Sequence, residues 1–232
     1  MAQPPHPVID NFGNFYQSWL AGQQSFLQQL LQSAALPAND KEEAQLRLIN
    51  QILAHYQHYY EELSKAAGED VFRAFSAPWL TPFERTLLWI GGFKPSIVLR
   101  LLDAAVKDLA PPQRARLEEV KAEVRRNERD LTEAMASLQE MVAAPPIEAL
   151  ARRAGRVMDR EICEMEGAIE ELKTAMVMVL NRADGVRGSA VMKVMELLDP
   201  DQRVRLLAAA AEFQLRIRRW GVHREQRHNR ES

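Results

Sequence analysis

His55 and His58 lie three residues apart in a stretch of helical periodicity, a spacing that lets two imidazoles reach one ligand. Heme or a divalent metal is the chemistry such a pair would serve. A surface or interfacial pair among Tyr56, Tyr59 and Tyr60 is the alternative, and no carboxylate–histidine motif accompanies them. Gly91-Gly92-Phe93-Lys94-Pro95-Ser96 leads into a helix start, where free backbone N–H groups and Lys94 could hold a phosphate. Its spacing matches neither a Walker loop nor a dinucleotide fingerprint, so a tight inter-helix turn is expected. Glu84 and Arg85 fall on a short helix between Trp79 and Trp89, where a buried ion pair could form. Other carboxylates, such as Glu118-Glu119 and the run from Glu161 to Glu171, sit in helical charge runs and read as solvated faces. No nucleophile–base pairing is visible, so no catalytic residue is assigned and an enzyme is not expected. Cys163 is the single cysteine, which forbids an internal disulfide or a multi-cysteine metal site.

Two surfaces suggest recognition instead. From Met1 to Asn39 the only formal charge is Asp10, and seven glutamines fill polar positions. Phe15, Tyr16 and Trp19 offer more aromatic area there than one helix face buries, which is the character of interface anchors; entry into the core is the alternative. At the other end, Gln214 to Arg230 carries six arginines against one acid, Glu225. Arg216, Arg218, Arg219, Arg224 and Arg227 could meet phosphates or an acidic partner. Ile217 and Trp220 alternate with them at helical spacing, so part of this segment is an amphipathic helix.

The elements that must position these groups are helical throughout. Phe12, Phe15, Trp19, Phe26 and Leu30 share one face from about Asp10 to Ser33, and Leu46, Ile49, Leu53, Tyr56, Tyr60 and Leu63 share another. Asn39 with Glu42 and Thr81 with Glu84 have the capping-box spacing, the latter with proline at the first helical position. Gly91-Gly92 ends that short helix, and Pro95 starts one with Ile97, Val98, Leu101 and Leu102. Pro111-Pro112 opens a long helix striped by Leu117, Val120, Val124, Leu131, Met135, Leu138 and Met141. Pro145-Pro146 stops it and starts another, with Gly155 and Gly167 inside. Asp184-Gly185 and Gly188 mark a turn, Asp199 to Gln202 a further cap, and Leu206, Ala210, Phe213, Ile217 and Trp220 stripe the last helix. The prediction is an all-α protein, a single bundle of about seven to nine helices rather than a dimerising coiled coil, because prolines and glycines interrupt the periodic runs.

At 232 residues, 47% apolar and with a net charge of −2, the chain has the proportions of a globular protein rather than a charge-driven coat for nucleic acid. No secretory signal is visible, and no stretch reaches the length of a membrane span. Neither a basic leucine zipper nor a helix-turn-helix pattern is evident, so direct DNA binding is not expected without a zipper partner.

Phe15-Tyr16-x-x-Trp19-Leu20 followed by Gln23-Gln24 resembles the opening helix of the plant delay-of-germination domain. Ala77-Pro-Trp-Leu-Thr-Pro-Phe-Glu-Arg-Thr-Leu-Leu-Trp-Ile-Gly-Gly-Phe-Lys-Pro-Ser96 is similar to that family's most recognisable segment, and Phe213-x-x-x-Ile217-Arg-Arg-Trp220-Gly221 fits its ending. The resemblance spans about Asn11 to Gly221, which places a flexible segment at 1–10 and a basic tail at 222–232. The same domain forms the C-terminal half of the TGA basic-zipper transcription factors. The resemblance implies a plant regulatory protein of the nucleus and cytoplasm, acting in abscisic acid signalling, dormancy or a related pathway. It implies protein phosphatase 2C or another signalling protein as partner, contacted through Phe15, Tyr16 and Trp19, and a homodimer is open. Ser18 stands where an acidic residue is expected. Some members bind heme through a helical histidine pair before the terminal Trp-Gly. Gln214 and Arg218 occupy those positions here, so heme would need other histidines, with His55 and His58 the candidates, or be absent. A heme- or acyl-chain-binding regulator, and a transcriptional co-regulator recruited by zipper factors, are the alternatives.

Overall fold

Proline and capping residues set most of the helix starts. A computed structural model describes residues 7–143 and 159–231. Among them are eight helices and no strand: α1 (Pro7–Ser33), α2 (Ala38–Glu69), α3 (Val71–Ser76), α4 (Pro82–Arg85), α5 (Ser96–Ala105), α6 (Pro111–Ala143), α7 (Asp159–Leu197) and α8 (Pro200–Glu231). The expected stop at Pro145-Pro146 and the glycine at 155 lie outside the described residues.

The α4 start is the capping box expected from Thr81 and Glu84, with both reciprocal hydrogen bonds formed. At α8, Asp199 Oδ1 accepts from Gln202 N at 2.8 Å while Asp199 N donates to Gln202 Oε1 at 3.1 Å. The helix start expected at Asn39 is shifted, so that Asn39 falls inside the helix rather than at its cap. α2 begins at Ala38 behind Pro37 with no side-chain cap, since the proline already supplies the extended residue before the first turn. The turn expected at Asp184-Gly185 and Gly188 is also corrected, because α7 runs straight through it. Leu180, Ala183, Ala190 and Val194 are buried on one face of that stretch, and their packing outweighs a helix penalty of about 1 kcal/mol per glycine. α1 begins at Pro7, and α8 continues to Glu231.

α6 and α7 pack antiparallel as a long pair. Gln113 Nε2 reaches Leu197 O at one end, and Lys193 pairs with Glu123 further along. The main core lies where their proximal halves meet α2, α5 and α8, around Ile52, Leu102, Val194 and Leu206. A second core, around Phe12, Tyr16, Trp19 and Trp79, joins α1 to α2 and to the α3–α4 connection. The apolar stripes bury one another within the chain, as a bundle requires.

α8 touches α1, α2, α4 and α5. It comes close to the start of α4 at Gly221, where a β-carbon would lie 2.0 Å from Thr81 Oγ1 and 2.9 Å from Thr81 Cβ. The expected α8 stripe therefore ends early. Leu206 is buried, Phe213 and Ile217 are half-buried, and Trp220 stands 65% exposed while Gly221 turns inward. Gly221→Ala should lower stability by about 1–3 kcal/mol through overpacking. Gly185→Ala, where an added β-carbon meets nothing within 4 Å, should raise it by about 0.5–1 kcal/mol through helix propensity. Urea midpoints of the two variants against wild type check both signs.

Candidate functional site

The short α4 exists to present one carboxylate. Glu84 Oε2 accepts from Thr81 N at 2.8 Å, from Thr81 Oγ1 at 2.7 Å and from Arg218 Nη1 at 2.9 Å. Oε1 accepts from the Tyr16 hydroxyl at 3.4 Å. One buried carboxylate thus joins α1, α4 and α8, with the Arg218 guanidinium 5.8 Å above the Tyr16 ring. Burial first, and the Glu84 charge second, push the Tyr16 hydroxyl above its ordinary pKa, so it remains a donor. The expected Glu84–Arg85 pair is corrected: Arg85 is exposed, because neighbouring residues on a helix do not face one another.

Tyr16 and Trp19 are 2% and 3% exposed, and Phe15 is half-buried, so their expected role as exposed docking anchors is corrected as well. α1 lies against both α2 and α8, and two contacts bury a wider aromatic face than one. Phe12 meets Trp79 with ring centres 4.4 Å apart, and Trp19 meets Tyr59 at 4.9 Å. What α1 leaves outward is mostly polar and uncharged: Asn14, Gln17, Ser18, Gln24, Ser25, Gln28 and Gln29 are all exposed, with Leu31 the apolar exception near its end.

His55 and His58 do not converge. The His55 ring stacks on Trp19 with centres 5.0 Å apart and planes 2° from parallel. Trp19 Nε1 donates to His55 O at 3.1 Å, and His55 Nε2 lies 3.2 Å from Trp19 O. Gly22 makes room for this ring, since a β-carbon there would sit 2.8 Å from His55 Cε1. His58 is exposed, edge-on to Phe15 at 5.1 Å and 3.9 Å from Glu61. The pair does not fit heme: one nitrogen of His55 is engaged with a backbone carbonyl, its ring face is covered by Trp19, and His58 points elsewhere. Among the described residues no group of three or more His, Cys, Asp or Glu is placed to hold a metal ion.

The phosphate reading of Gly91 to Ser96 gives way to an internal anion. Glu128 Oε1 accepts from Ser96 N at 2.6 Å, at the start of α5, and Lys94 Nζ lies 3.6 Å from Glu128 Oε2. The preceding loop is the expected tight turn, held by a cation. Buried Arg187 donates to Phe93 O and Ile90 O, each at 2.7 Å, and also to Trp89 O, while pairing with Asp184. Gly91 is at φ +71, and a β-carbon on Gly92 would meet Arg187 Cζ at 2.9 Å. Sequence reasoning passed over Arg187 and Glu128. The only signal was a charged residue on an apolar helix stripe, as Glu128 lies between Val124 and Leu131.

Between α2, α5, α7 and α8 a cavity of about 510 Å³ opens, lined by Leu53, Tyr56, Val98, Val191 and Met195 with Lys94 and Arg187 at its polar edge. No histidine lines it. Of the basic residues singled out on α8, Arg218 belongs to the Glu84 clasp; Arg216, Arg219, Arg224 and Arg227 are exposed, and Arg216 pairs with Glu212.

Comparison with known proteins finds relatives along most of the chain. A family model described as DOG1, seed dormancy control, matches residues 24–104, from mid-α1 through α5. Protein ZW2 of Arabidopsis thaliana is 41% identical over 92% of this chain and 97% of its own length. Protein RESPONSE TO ABA AND SALT 1 of the same plant is 37% identical over 90% of this chain and 94% of its own. Transcription factor TGA2.3 of Oryza sativa subsp. japonica is 28% identical over 88% of this chain, and the match spans 61% of that protein.

Burial lowers the pKa of His55 below its ordinary 6.5, against the opposing hydrogen bond to Trp19. A depressed histidine stabilises the fold fully above 6.5, and that contribution is lost as pH falls from there through the lowered folded value. Thermal midpoints of wild type should therefore drop between about pH 7 and pH 5, and those of His55→Gln should drop less over the same range. Equal slopes would show that His55 is not the group responsible. The lowered carboxylates Asp108, Asp201 and Glu123 act only below their ordinary values of 3.8 to 4.5, outside this window.

Proposed function

The chain belongs to the delay-of-germination, seed-dormancy-control family, and on that premise we propose that it is a non-enzymatic plant regulator that binds signalling proteins in an abscisic acid response. The observation that carries this reading is the 37% identity, over 94% of its length, to a relative whose name states a response to ABA and salt. The site chemistry supports it. Glu84, Arg218, Glu128, Arg187 and Asp184 are each engaged in tying helices and loops together, so these buried charges serve the fold rather than acid–base chemistry.

Protein phosphatase 2C of clade A is the leading partner class. With the aromatics of α1 turned inward, its contact is the uncharged outer row of Asn14, Gln17 and Ser18, edged by half-buried Phe15. A surface without charge is removed from water without stranding an ion, and this favours docking. The similarity to TGA2.3 adds a second partner class, zipper transcription factors, with location in nucleus and cytoplasm. Any association with DNA would then run through that partner.

A ligand-binding regulator is the second reading, favoured by the cavity of about 510 Å³, which falls in the range of small-molecule sites. Its apolar wall suits an acyl chain, and Lys94, Gln57 and Gln214 at its edge could meet a polar head, while Arg187 and Asp184 there pair with each other.

Pull-down against a clade A phosphatase panel should capture at least one member with wild type and clearly less with Ser18→Arg, which places a cation on exposed α1 surface without touching the core. Capture of none, or equal capture by both proteins, would remove the phosphatase reading. Native mass spectrometry of protein purified from a lipid-containing host separates the second reading: a bound fatty acid should appear with wild type and diminish with Val191→Phe. A bare protein mass in both, with a flat hemin titration, would discard it.

A further inference from the structure

We propose that the C-terminal half of α8, with Phe83 of α4 and Leu101 of α5, is a second docking groove that receives an acidic amphipathic helix of a partner protein. It lies on a different helix from the outer row of α1 and stands whether or not α1 docks a phosphatase.

The groove holds about 540 Å³ and is floored by Phe83, Leu101, Phe213 and Ile217, all half-buried, with Trp220 rising at its end. On α8 Ala209, Phe213, Arg216, Trp220 and Arg224 step by 4, 3, 4 and 4, so the groove runs along one face of the helix; Glu212 also lines it and pairs with Arg216, which leaves Arg219, Arg224 and Arg227 as the cations that face a partner. A floor of that form matches a helix laid lengthwise with apolar side chains at i, i+4 and i+7. Trp220, 65% exposed, is the largest apolar side chain on this surface, and tryptophan at the edge of an apolar groove is a frequent anchor of binding energy.

Charge selects the occupant. Arg216, Arg219, Arg224 and Arg227 flank Trp220, while the whole protein carries a net charge of −2, so the cations are concentrated here. Arg219 and Arg227 are exposed and have no ion-pair or hydrogen-bond partner among the described residues. Arg224 rests over Phe83 with its guanidinium 6.0 Å from the ring centre, positioned at the groove's rim. An acidic helix would satisfy both features: its carboxylates meet the arginines, and its apolar face covers the floor.

Other occupants fit less well. A second copy in a two-fold contact would set arginine against arginine. The chain's own 144–158 segment carries three arginines and one glutamate, the wrong sign to cover this face. A single-stranded nucleic acid needs successive exposed aromatics for stacking, and Trp220 is the one exposed aromatic here; the aliphatic Leu101 and Ile217 would gain nothing from bases.

The test uses the full chain and a fluorescein-labelled helical peptide of roughly 16 residues, with Leu and Phe at the anchor spacing and Glu elsewhere. Fluorescence anisotropy should show binding to wild type that weakens as salt rises. Trp220→Ala should weaken it about tenfold or more, and so should Arg219→Glu combined with Arg227→Glu. Both variants alter exposed side chains, so circular dichroism and urea midpoints should match wild type, and the charge variant decides the matter should Trp220→Ala misfold. The proposal is overturned if the peptide does not bind wild type, if either folded variant binds it unchanged, or if a single-stranded oligonucleotide displaces it. A Trp220-dependent dimer in light scattering would equally overturn it, by assigning the groove to a second copy.

Discussion

The carboxylate of Glu84 sits where α1, α4 and α8 meet, and without a partner it would be a buried ion. Such a group is tolerated only when paired and fully hydrogen-bonded, which here takes Arg218, Tyr16 and both polar groups of Thr81. The requirement reaches outward. Arg218 must face inward from α8, which sets the rotation of that helix. Gly221, one turn further along, must then lie against Thr81, since no side chain would fit. Trp220, its neighbour, is turned to solvent by the same rotation. The exposed tryptophan and the buried ion pair are two consequences of one helix orientation.

The same logic governs the helix ends. The Ser96 N–H at the start of α5 and the carbonyls of Ile90 and Phe93 in the loop before it are backbone groups without backbone partners among the described residues. Glu128 of α6 answers the first and Arg187 of α7 the second, each from a distant position on a long helix. An anion does occupy the helix start that the sequence pointed to, but it is a side chain of the protein itself. The loop is a joint between helices, and its glycines make room for Arg187 and Leu180.

This division of labour gives the protein a rigid interior and two unlike outer faces. The outer row of α1 is uncharged and polar, and the far end of α8 is cationic with one aromatic. Relatives of the chain likewise differ in extent: Protein ZW2 matches over 97% of its length, whereas the match to Transcription factor TGA2.3 spans 61% of that protein. The buried aromatics of α1 shape the first face from beneath: Trp19 and His55 lock each other through two backbone contacts, which holds α1 at a fixed height on α2.

Much of this could be read from the chain alone. Thr81-Pro82-Phe83-Glu84, Asp199 to Gln202 and Pro111-Pro112 fixed helix starts, because capping and proline geometry act within a few residues. The apolar stripes likewise determined an all-helical bundle, since periodicity is a local property of the chain. Only the tertiary structure decided which stripes face which. It buried Tyr16 and Trp19 because α1 touches two helices at once, and it let α7 pass through Gly185 and Gly188 because neighbouring side chains pack. It also gave Glu84 to Arg218, 134 residues away, rather than to adjacent Arg85. Those outcomes depend on contacts between segments distant in sequence, and the spacing of residues within one segment carries no record of them.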